Sequence, residues 1–312
     1  MHNTKLEVLL RTSTIVCNAT PKCPYCLWKH RHNVGSPPLS PEYWMRGLLT
    51  LGERYNPMFI DACGEGEMFA GDMTFSATLA LLAHDNWVVI TTNLIADDFE
   101  FTPFKRSPVS LQVSYHPYHW GLNDEDGTRV FCNKINSLRE KYEIEVAYVS
   151  MVAYPPTLPI MKSRLAMITD LTGVSTVCGQ YSGRYDSKTY PTAYTDDERA
   201  IMAESGVILN RSPWTELQHP LGQPALYNSH TAYPSYTGST RGLPCWAGKT
   251  GVYIDETGSI YPCVNAKERL LGHLSNCDSF SLLDEPHVCT SFQCGCAAYL
   301  RHLAQDPFGE VQ

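Results

Sequence analysis

The sequence predicts an α/β protein in which six parallel strands, interleaved with helices, form an open or partial barrel ahead of a small cysteine-rich unit. Three observations predict it. Short apolar runs alternate with amphipathic segments up to about Cys178, and such strand–helix alternation favours parallel pairing through right-handed crossovers. From Ser212 to Pro244 this periodicity disappears into a stretch rich in Pro, Gly, Ser, Tyr and His. Finally, twelve cysteines crowd towards the two ends, at 17, 23 and 26 and at 245, 263, 277, 289, 294 and 296, with only 63, 132 and 178 between them.

Each element has a local reason. Leu6, Val8 and Leu10 open a first strand that runs towards Val16. Ser40-Pro41-Glu42 starts a helix, with a hydroxyl cap, a proline at the first position and an acid near the positive end of the dipole. Trp44, Leu48 and Leu51 follow at helical spacing. Met58–Asp61 is the second strand, and the next helix, opened by Asp72, carries Phe75, Leu79 and Leu82 on one face. Trp87–Thr91 and Val109–Tyr115 are strands three and four, and Phe131, Ile135, Leu138 and Tyr142 mark the helix after them. Glu145–Val152, a helix over Met161–Leu171 and Val174–Cys178 complete the series. Thr195 and Glu198 form a capping box for a short helix ending at Gly206. These units divide the chain into a barrel over residues 1–210, a linker or substrate-covering loop over 211–244, and a C-terminal unit over 245–312. That last unit is too small to build much core without a metal or cluster.

Composition narrows the function. Hydrophobic residues make up 43% and charged residues 18%, which suits a packed enzyme rather than a disordered chain. Twenty-four basic against thirty-two acidic side chains give a net charge of −8, which argues against nucleic acid as the main partner. No apolar run approaches the roughly 18 residues of a membrane span, and Met1–Leu10 lacks the pattern of a secretion signal. The expectation is a soluble cytoplasmic protein. In such a reducing compartment, clustered cysteines read as metal or iron–sulfur ligands rather than disulfides.

Cys17, Cys23 and Cys26 form a C-x5-C-x2-C run in the loop after the first strand. The count of three is informative, because a structural site closes its coordination shell and a reactive one leaves a position open. A 4Fe–4S cluster on three thiolates keeps one iron for a substrate or cofactor. Tyr25 stands just before the third cysteine and Asn18 just after the first. With these features the loop resembles that of the radical S-adenosylmethionine (SAM) family, although the usual first spacing is two residues shorter and Pro21 sits in the insertion. Gly64-Glu65-Gly66-Glu67, after the second strand, resembles the family's glycine–glutamate element, which holds the amino group of SAM. Glycine permits close backbone approach, and an ammonium wants a carboxylate, which Glu65 or Glu67 would supply. By the same resemblance Thr92 and Asn93, and Ser114 and His116, are candidate contacts at the ends of strands three and four. The rival account is a zinc knuckle of Cys23 and Cys26 with His30 or His32. A polar loop is the plainer account of His116 and His119.

Cys245 and Cys263 bracket a hairpin of Val252–Ile254 and Ser259–Tyr261. Twelve residues separate Cys245 from Gly258 and four separate Gly258 from Cys263. The spacing, with Leu271-Gly272-His273-Leu274 beyond it, resembles the SPASM and twitch extensions of radical SAM enzymes, which hold auxiliary 4Fe–4S clusters. The cysteine count fits the single-cluster twitch type. That resemblance implies Cys245 and Cys263 as ligands, completed by two of Cys289, Cys294 and Cys296, with Cys277 a bystander and a zinc ribbon the rival account. Cys132 reads as a small buried residue. Cys63 and Cys178 fall at strand ends, and Cys178 is the candidate hydrogen-atom donor if the reaction is an epimerisation.

The resemblance implies an enzyme in which a reduced cluster cleaves SAM to a 5′-deoxyadenosyl radical that abstracts hydrogen from an unactivated carbon. It implies a second, auxiliary 4Fe–4S cluster and an external one-electron donor such as flavodoxin or ferredoxin. The favoured substrate is a polar small molecule (a sugar, aminocyclitol or nucleotide-like compound) that is dehydrogenated or epimerised. Modification of a peptide or protein by the same chemistry is the alternative, and a zinc-binding, non-enzymatic scaffold is the rival of another class.

Overall fold

The protein is described by a computed structural model over residues 6–11, 17, 19, 23–26, 39–63, 67–70, 73–95, 98–122, 125–181, 183–205, 241–242 and 244–290. Its centre is a sheet whose first six strands run parallel and in sequence order. They are β1 (Leu6–Leu10), β2 (Met58–Ala62), β3 (Trp87–Thr92), β4 (Ser110–Ser114), β5 (Glu145–Ala153) and β6 (Thr176–Gln180). Between them come α1 (Pro41–Tyr55), α2 (Met73–Leu82), α3 (Pro117–Trp120), α4 (Glu125–Lys141) and α5 (Leu158–Thr172). A two-stranded ribbon, β7 (Gly183–Tyr185) and β8 (Lys188–Tyr190), precedes α6 (Asp196–Glu204).

Strand alternation divides the sheet into two faces. Leu6, Val8, Leu10, Ile60, Ile90, Leu111, Val113, Val149 and Met151 pack outward with Trp44, Leu48, Phe75, Phe131, Ile135, Met161 and Leu165 of the helices. The other face is internal: Tyr148 of β5 lies within electrostatic reach of Asp61 and Cys63, on β2 and at its end. Contact between strands so far apart in the order requires the sheet to curl. An open barrel is the result, as the alternation predicts.

Elements begin and end for local reasons. Ser40 precedes α1 as expected, but its side chain makes no cap hydrogen bond, and proline alone marks the start. The Thr195–Glu198 capping box is present, with Glu198 N donating to Thr195 Oγ1 at 3.2 Å and Thr195 N to Glu198 Oε2 at 2.8 Å. The last parallel strand starts two residues later than its apolar run suggests. Gly173 closes α5 in the left-handed conformation, and Thr172 Oγ1 accepts from Val174 N at 3.1 Å, which uses up the start of the run.

The C-terminal hairpin is where the structure departs most from the sequence reading. β10 (Gly251–Ile254) and β11 (Ser259–Tyr261) form the hairpin, but β10 also pairs in parallel with β1, Val8 opposite Val252 and Leu10 opposite Ile254. With β12 (Gly272–His273), the sheet reaches nine strands in the order β12-β11-β10-β1-β2-β3-β4-β5-β6. The segment expected to stand apart from residue 245 onward is therefore hydrogen-bonded to the first strand of the barrel. Its own turn is held by Asp255 Oδ1, which accepts from Thr257 N at 3.0 Å and Ser259 N at 3.1 Å, with Gly258 at φ +86°. The positive φ is the physical reason for glycine in the Cys245–Gly258–Cys263 spacing.

A second seam joins the end of the described chain to α1. Arg54 Nη1 donates to Phe280 O at 2.9 Å, and Cys277 Sγ donates to Gly47 O at 3.4 Å. Cys277 is thus a seam residue, as its bystander role requires. A Cβ on Gly47 would stand 2.6 Å from Leu274 O and 2.9 Å from Leu274 Cβ. Alanine normally favours a helix interior over glycine by about 1 kcal/mol. Here a backbone oxygen cannot swing aside, so Gly47→Ala is expected to destabilise by about 1–3 kcal/mol. A urea melt showing wild-type or higher stability would refute the close seam. The 211–244 linker, apart from 241–242 and 244, and the helix start at Asp72 lie outside the described residues. Among the described residues no helix is long and apolar enough to cross a membrane.

Candidate functional site

The loop after β1 lies across the carboxyl ends of its neighbours, where parallel α/β folds place their sites. Cys26 N donates to Cys23 O at 3.0 Å, a tight turn that sets two thiols side by side. Cys23 Sγ lies 3.3 Å from His119 Nε2, and Asn93 Nδ2, just past β3, donates to Cys17 Sγ at 3.9 Å. Tyr25 Oη lies 2.9 Å from His116 Nδ1, and the ring packs 5.1 Å from Tyr154 and 6.0 Å from Tyr118. One loop is thereby tied to the ends of β3, β4 and β5.

The thiols sense one another. Burial pushes Cys23 up to about 12; a bond with Tyr25 lowers it, and the neighbouring Cys26 and Cys17 raise it again. A thiol so placed ionises only against a positive partner, which a metal or cluster would be. Burial, with His119 alongside, brings His116 down to about 4, so its ring is neutral at physiological pH.

The candidates around this loop divide. Asn93 stands just past β3, its carboxamide reaching Cys17 while Oδ1 accepts from Ile95 N at 2.8 Å. Ser114 lines the inner face, 3.5 Å from Ser150 Oγ. His116 is occupied by Tyr25. Glu67 and Thr92 are joined to each other. Thr92 Oγ1 donates to Glu67 Oε1 at 2.6 Å and accepts from Leu94 N, while Asn93 N donates to Glu67 Oε2 at 2.7 Å. Both side chains are buried among outward-facing groups, and they tether the loop after β2 to the end of β3. Thr92 has given its proton inside the fold, and Glu67 straps the loop while a carboxylate of about four lone-pair sites keeps acceptor capacity for a further donor. Glu67→Ala is expected to cost about 2–4 kcal/mol, because it leaves Thr92 Oγ1, Asn93 N and Phe69 N without their acceptor. A melting temperature within a degree of wild type would show that the strap carries no weight. Gly64, Glu65 and Gly66 lie outside the described residues, so Glu65 remains the candidate carboxylate.

Cys178 needs correction. It stands opposite Met151 on β6, and both point outward. Its thiol, 3% exposed, donates to Met161 Sδ on α5 at 3.1 Å, and burial pushes it up to about 12. The strand-end position suggested the mouth of the barrel, but the parity of the strand turns the side chain to the helices. It therefore cannot deliver hydrogen to a substrate on the inner face.

The second cysteine group lies on the inner side of β1 and β10. Leu9 and Tyr253, which alternate with the outward Val8 and Val252, pack with buried Cys245, Ala247 and Cys289, and Cys63, Cys263 and Val264 adjoin them. A short ladder of β9 (Pro244–Cys245) and β13 (His287–Val288) sets His287 opposite Cys245 and brings Cys289 alongside. Three of the five candidate ligands are thus brought together; Cys294 and Cys296 lie outside the described residues.

The donor sets are thiolates, the ligands that iron–sulfur clusters take. Thiolates on one zinc ion stand about 3.8 Å apart, from Zn–S of about 2.3 Å and tetrahedral angles. Among the described residues no three His, Cys, Asp or Glu side chains stand close enough to hold one ion jointly. A cluster spans a wider gap and asks only for thiolates. Cys17, Cys23 and Cys26 would hold one cluster, and Cys245, Cys263 and Cys289 would contribute to another.

The sequence reading passed over the inner face itself. Asp61, Thr91, Gln112 and Tyr148 line it, with Tyr148 Oη donating to Gln112 Oε1 at 2.5 Å. The signal was a polar residue at alternate positions of otherwise apolar strands, as in Met-Phe-Ile-Asp-Ala.

No family model matches the chain, and no curated protein matches it by sequence. Solved structures do match in fold. Native anSMEcpe with bound AdoMet superposes with a TM-score of 0.56 at 16% identity, over 87% of this chain and 78% of that one. The same protein with AdoMet and the Cp18Cys peptide gives 0.55 at 14% identity, over 87% and 78% again. Streptococcus suis SuiB bound to S-adenosylmethionine gives 0.52 at 14% identity, over 88% of this chain and 64% of that one. At these identities the likeness is one of fold, and the chain accordingly has the fold of the AdoMet-bound proteins anSMEcpe and SuiB.

Proposed function

We propose that the protein is a radical SAM enzyme that modifies a peptide. The observation that carries the proposal is the convergence of Cys17, Cys23 and Cys26 over the carboxyl ends of parallel strands. The fold shared with AdoMet-bound proteins supports it. With a 4Fe–4S cluster and SAM bound, the site would supply a 5′-deoxyadenosyl radical that takes hydrogen from an unactivated carbon. The chain's own residues hold and shield that chemistry. The three thiolates would hold the cluster, Glu65 would pair with the SAM ammonium, and Asn93 orients Cys17. Tyr25, locked by His116 and packed on Tyr154 and Tyr118, closes the loop against water. Cys245, Cys263 and Cys289, with Cys294 or Cys296, would hold an auxiliary cluster across the inner face. A one-electron donor of the flavodoxin or ferredoxin type would reduce the first cluster.

The sequence reading favoured a polar small molecule. The peptide alternative now has more support, because anSMEcpe has been solved with peptides under the same fold. With Cys178 turned outward, the epimerase version has lost its hydrogen donor. The test is anaerobic reconstitution, with about eight irons expected per chain for two clusters. Dithionite and SAM should then yield 5′-deoxyadenosine, faster with a cysteine-containing peptide library than with a panel of amino sugars. A zinc scaffold, built on Cys23 and Cys26 with His30 or His32, would give zinc, no brown colour and no 5′-deoxyadenosine.

A further inference from the structure

Between the two cysteine groups stands a carboxylate that neither uses. Asp61 is partnered with Leu9 of β1 on one side and Val89 of β3 on the other. Ile60 and Ala62, fully buried, face the helices, so Asp61 faces inward. Leu9 beside it packs with Cys245 and Cys289, and Cys63 two residues on leads to the mouth of the barrel. A substrate reacting between SAM and an auxiliary cluster would have to lie over this stretch.

Asp61 Oδ1 is buried and has no hydrogen-bond partner among the described residues. Its surroundings offer donors but direct them elsewhere. Tyr148 Oη and Thr91 Oγ1 both donate to Gln112 Oε1, at 2.5 and 3.5 Å. Arg11, a cation on the same face of β1, donates through Nε to Tyr253 Oη at 3.1 Å and lies 5.5 Å over that ring. Burial raises Asp61 to about 7, with no cation among the described residues opposing the shift. A carboxylate oxygen buried without a partner, on a half-buried Asp61, costs stability that leucine would avoid. Such a cost persists where a ligand supplies the missing partner.

We infer that Asp61 is the anchoring carboxylate of a substrate subsite on the inner face, and that it takes an ammonium group. Resting on the peptide-modifying reading above, the favoured source is a lysine side chain near the residue to be modified. An amino sugar carries the same group.

The experiment uses the reconstituted chain without SAM or reductant. The probes are acetyl-Ala-Lys-Ala-amide and glucosamine, with acetyl-Ala-norleucine-Ala-amide and glucose as neutral controls. The lysine peptide should raise the melting temperature and its control should not, and Asp61→Asn should weaken the response roughly tenfold or more, as loss of a charged hydrogen-bond partner does. A response to glucosamine alone keeps the subsite and assigns it to a sugar. Equal responses to charged and neutral probes, or an unchanged response in Asp61→Asn, overturn it. If that variant does not fold, carbodiimide coupling of the lysine peptide to wild-type protein decides: an amide at Asp61 by mass spectrometry supports the subsite, and coupling confined to surface carboxylates refutes it. Wild-type production of 5′-deoxyadenosine is read separately, so failure of the radical chemistry and failure of the subsite are told apart.

Discussion

Replacing Cys17, Cys23 and Cys26 together by alanine is expected to abolish formation of 5′-deoxyadenosine and to leave about four irons per chain in place of about eight. The effect should be total, because nothing else in the described site donates a thiolate to that position. His119 is the nearest other donor, 3.3 Å from Cys23, and one imidazole cannot hold a cluster by itself. The fold should survive, since these residues sit on a loop and only Cys23 of the three packs against the core. Iron analysis and chromatography of the nucleoside product check both halves. A triple variant that still cleaves SAM would remove the assignment of this loop.

Loss of either Cys245 or Cys263 should act differently, removing the second group's iron and loosening the edge of the sheet. Metal binding there is also folding energy, and the cysteines flank a hairpin whose first strand pairs with β1. Cys245 is buried against Leu9 and Tyr253, so an unoccupied group leaves β10 held by short ladders alone. Cys245→Ala and Cys263→Ala should each bind about four irons and lower the melting temperature by several degrees, while the Cys17–Cys26 group still cleaves SAM. Eight irons in either variant, or one equivalent of zinc in the wild type, would contradict the assignment.

Much of this site was legible from residue spacing alone. The C-x5-C-x2-C run, the aromatic before its last cysteine and the Cys245–Gly258–Cys263 spacing depend on short stretches of chain, where local geometry follows closely from sequence. Glu67 and Thr92 show what spacing does not carry. Their positions after β2 and at the end of β3 are right for a ligand pocket, but each found its partner in the other across 25 residues. Cys178 was expected at the end of its strand, but β6 runs Thr176–Gln180, which leaves it in mid-strand, and its parity turns it outward beside Met151.

The sequence by itself determined the parallel strand–helix series, the two groups of thiols and the glycine turn of the hairpin, because apolar periodicity, thiol spacing and backbone conformation are local properties. Only the tertiary structure decided that the hairpin joins β1, that Tyr25 is locked by His116, and that Asp61 faces Tyr148 across the inner face. Those outcomes depend on strand order, on the parity of each strand and on the curl of the sheet. Each of the three brings together residues distant in the chain, and spacing along the sequence carries no record of which distant strand a side chain will meet.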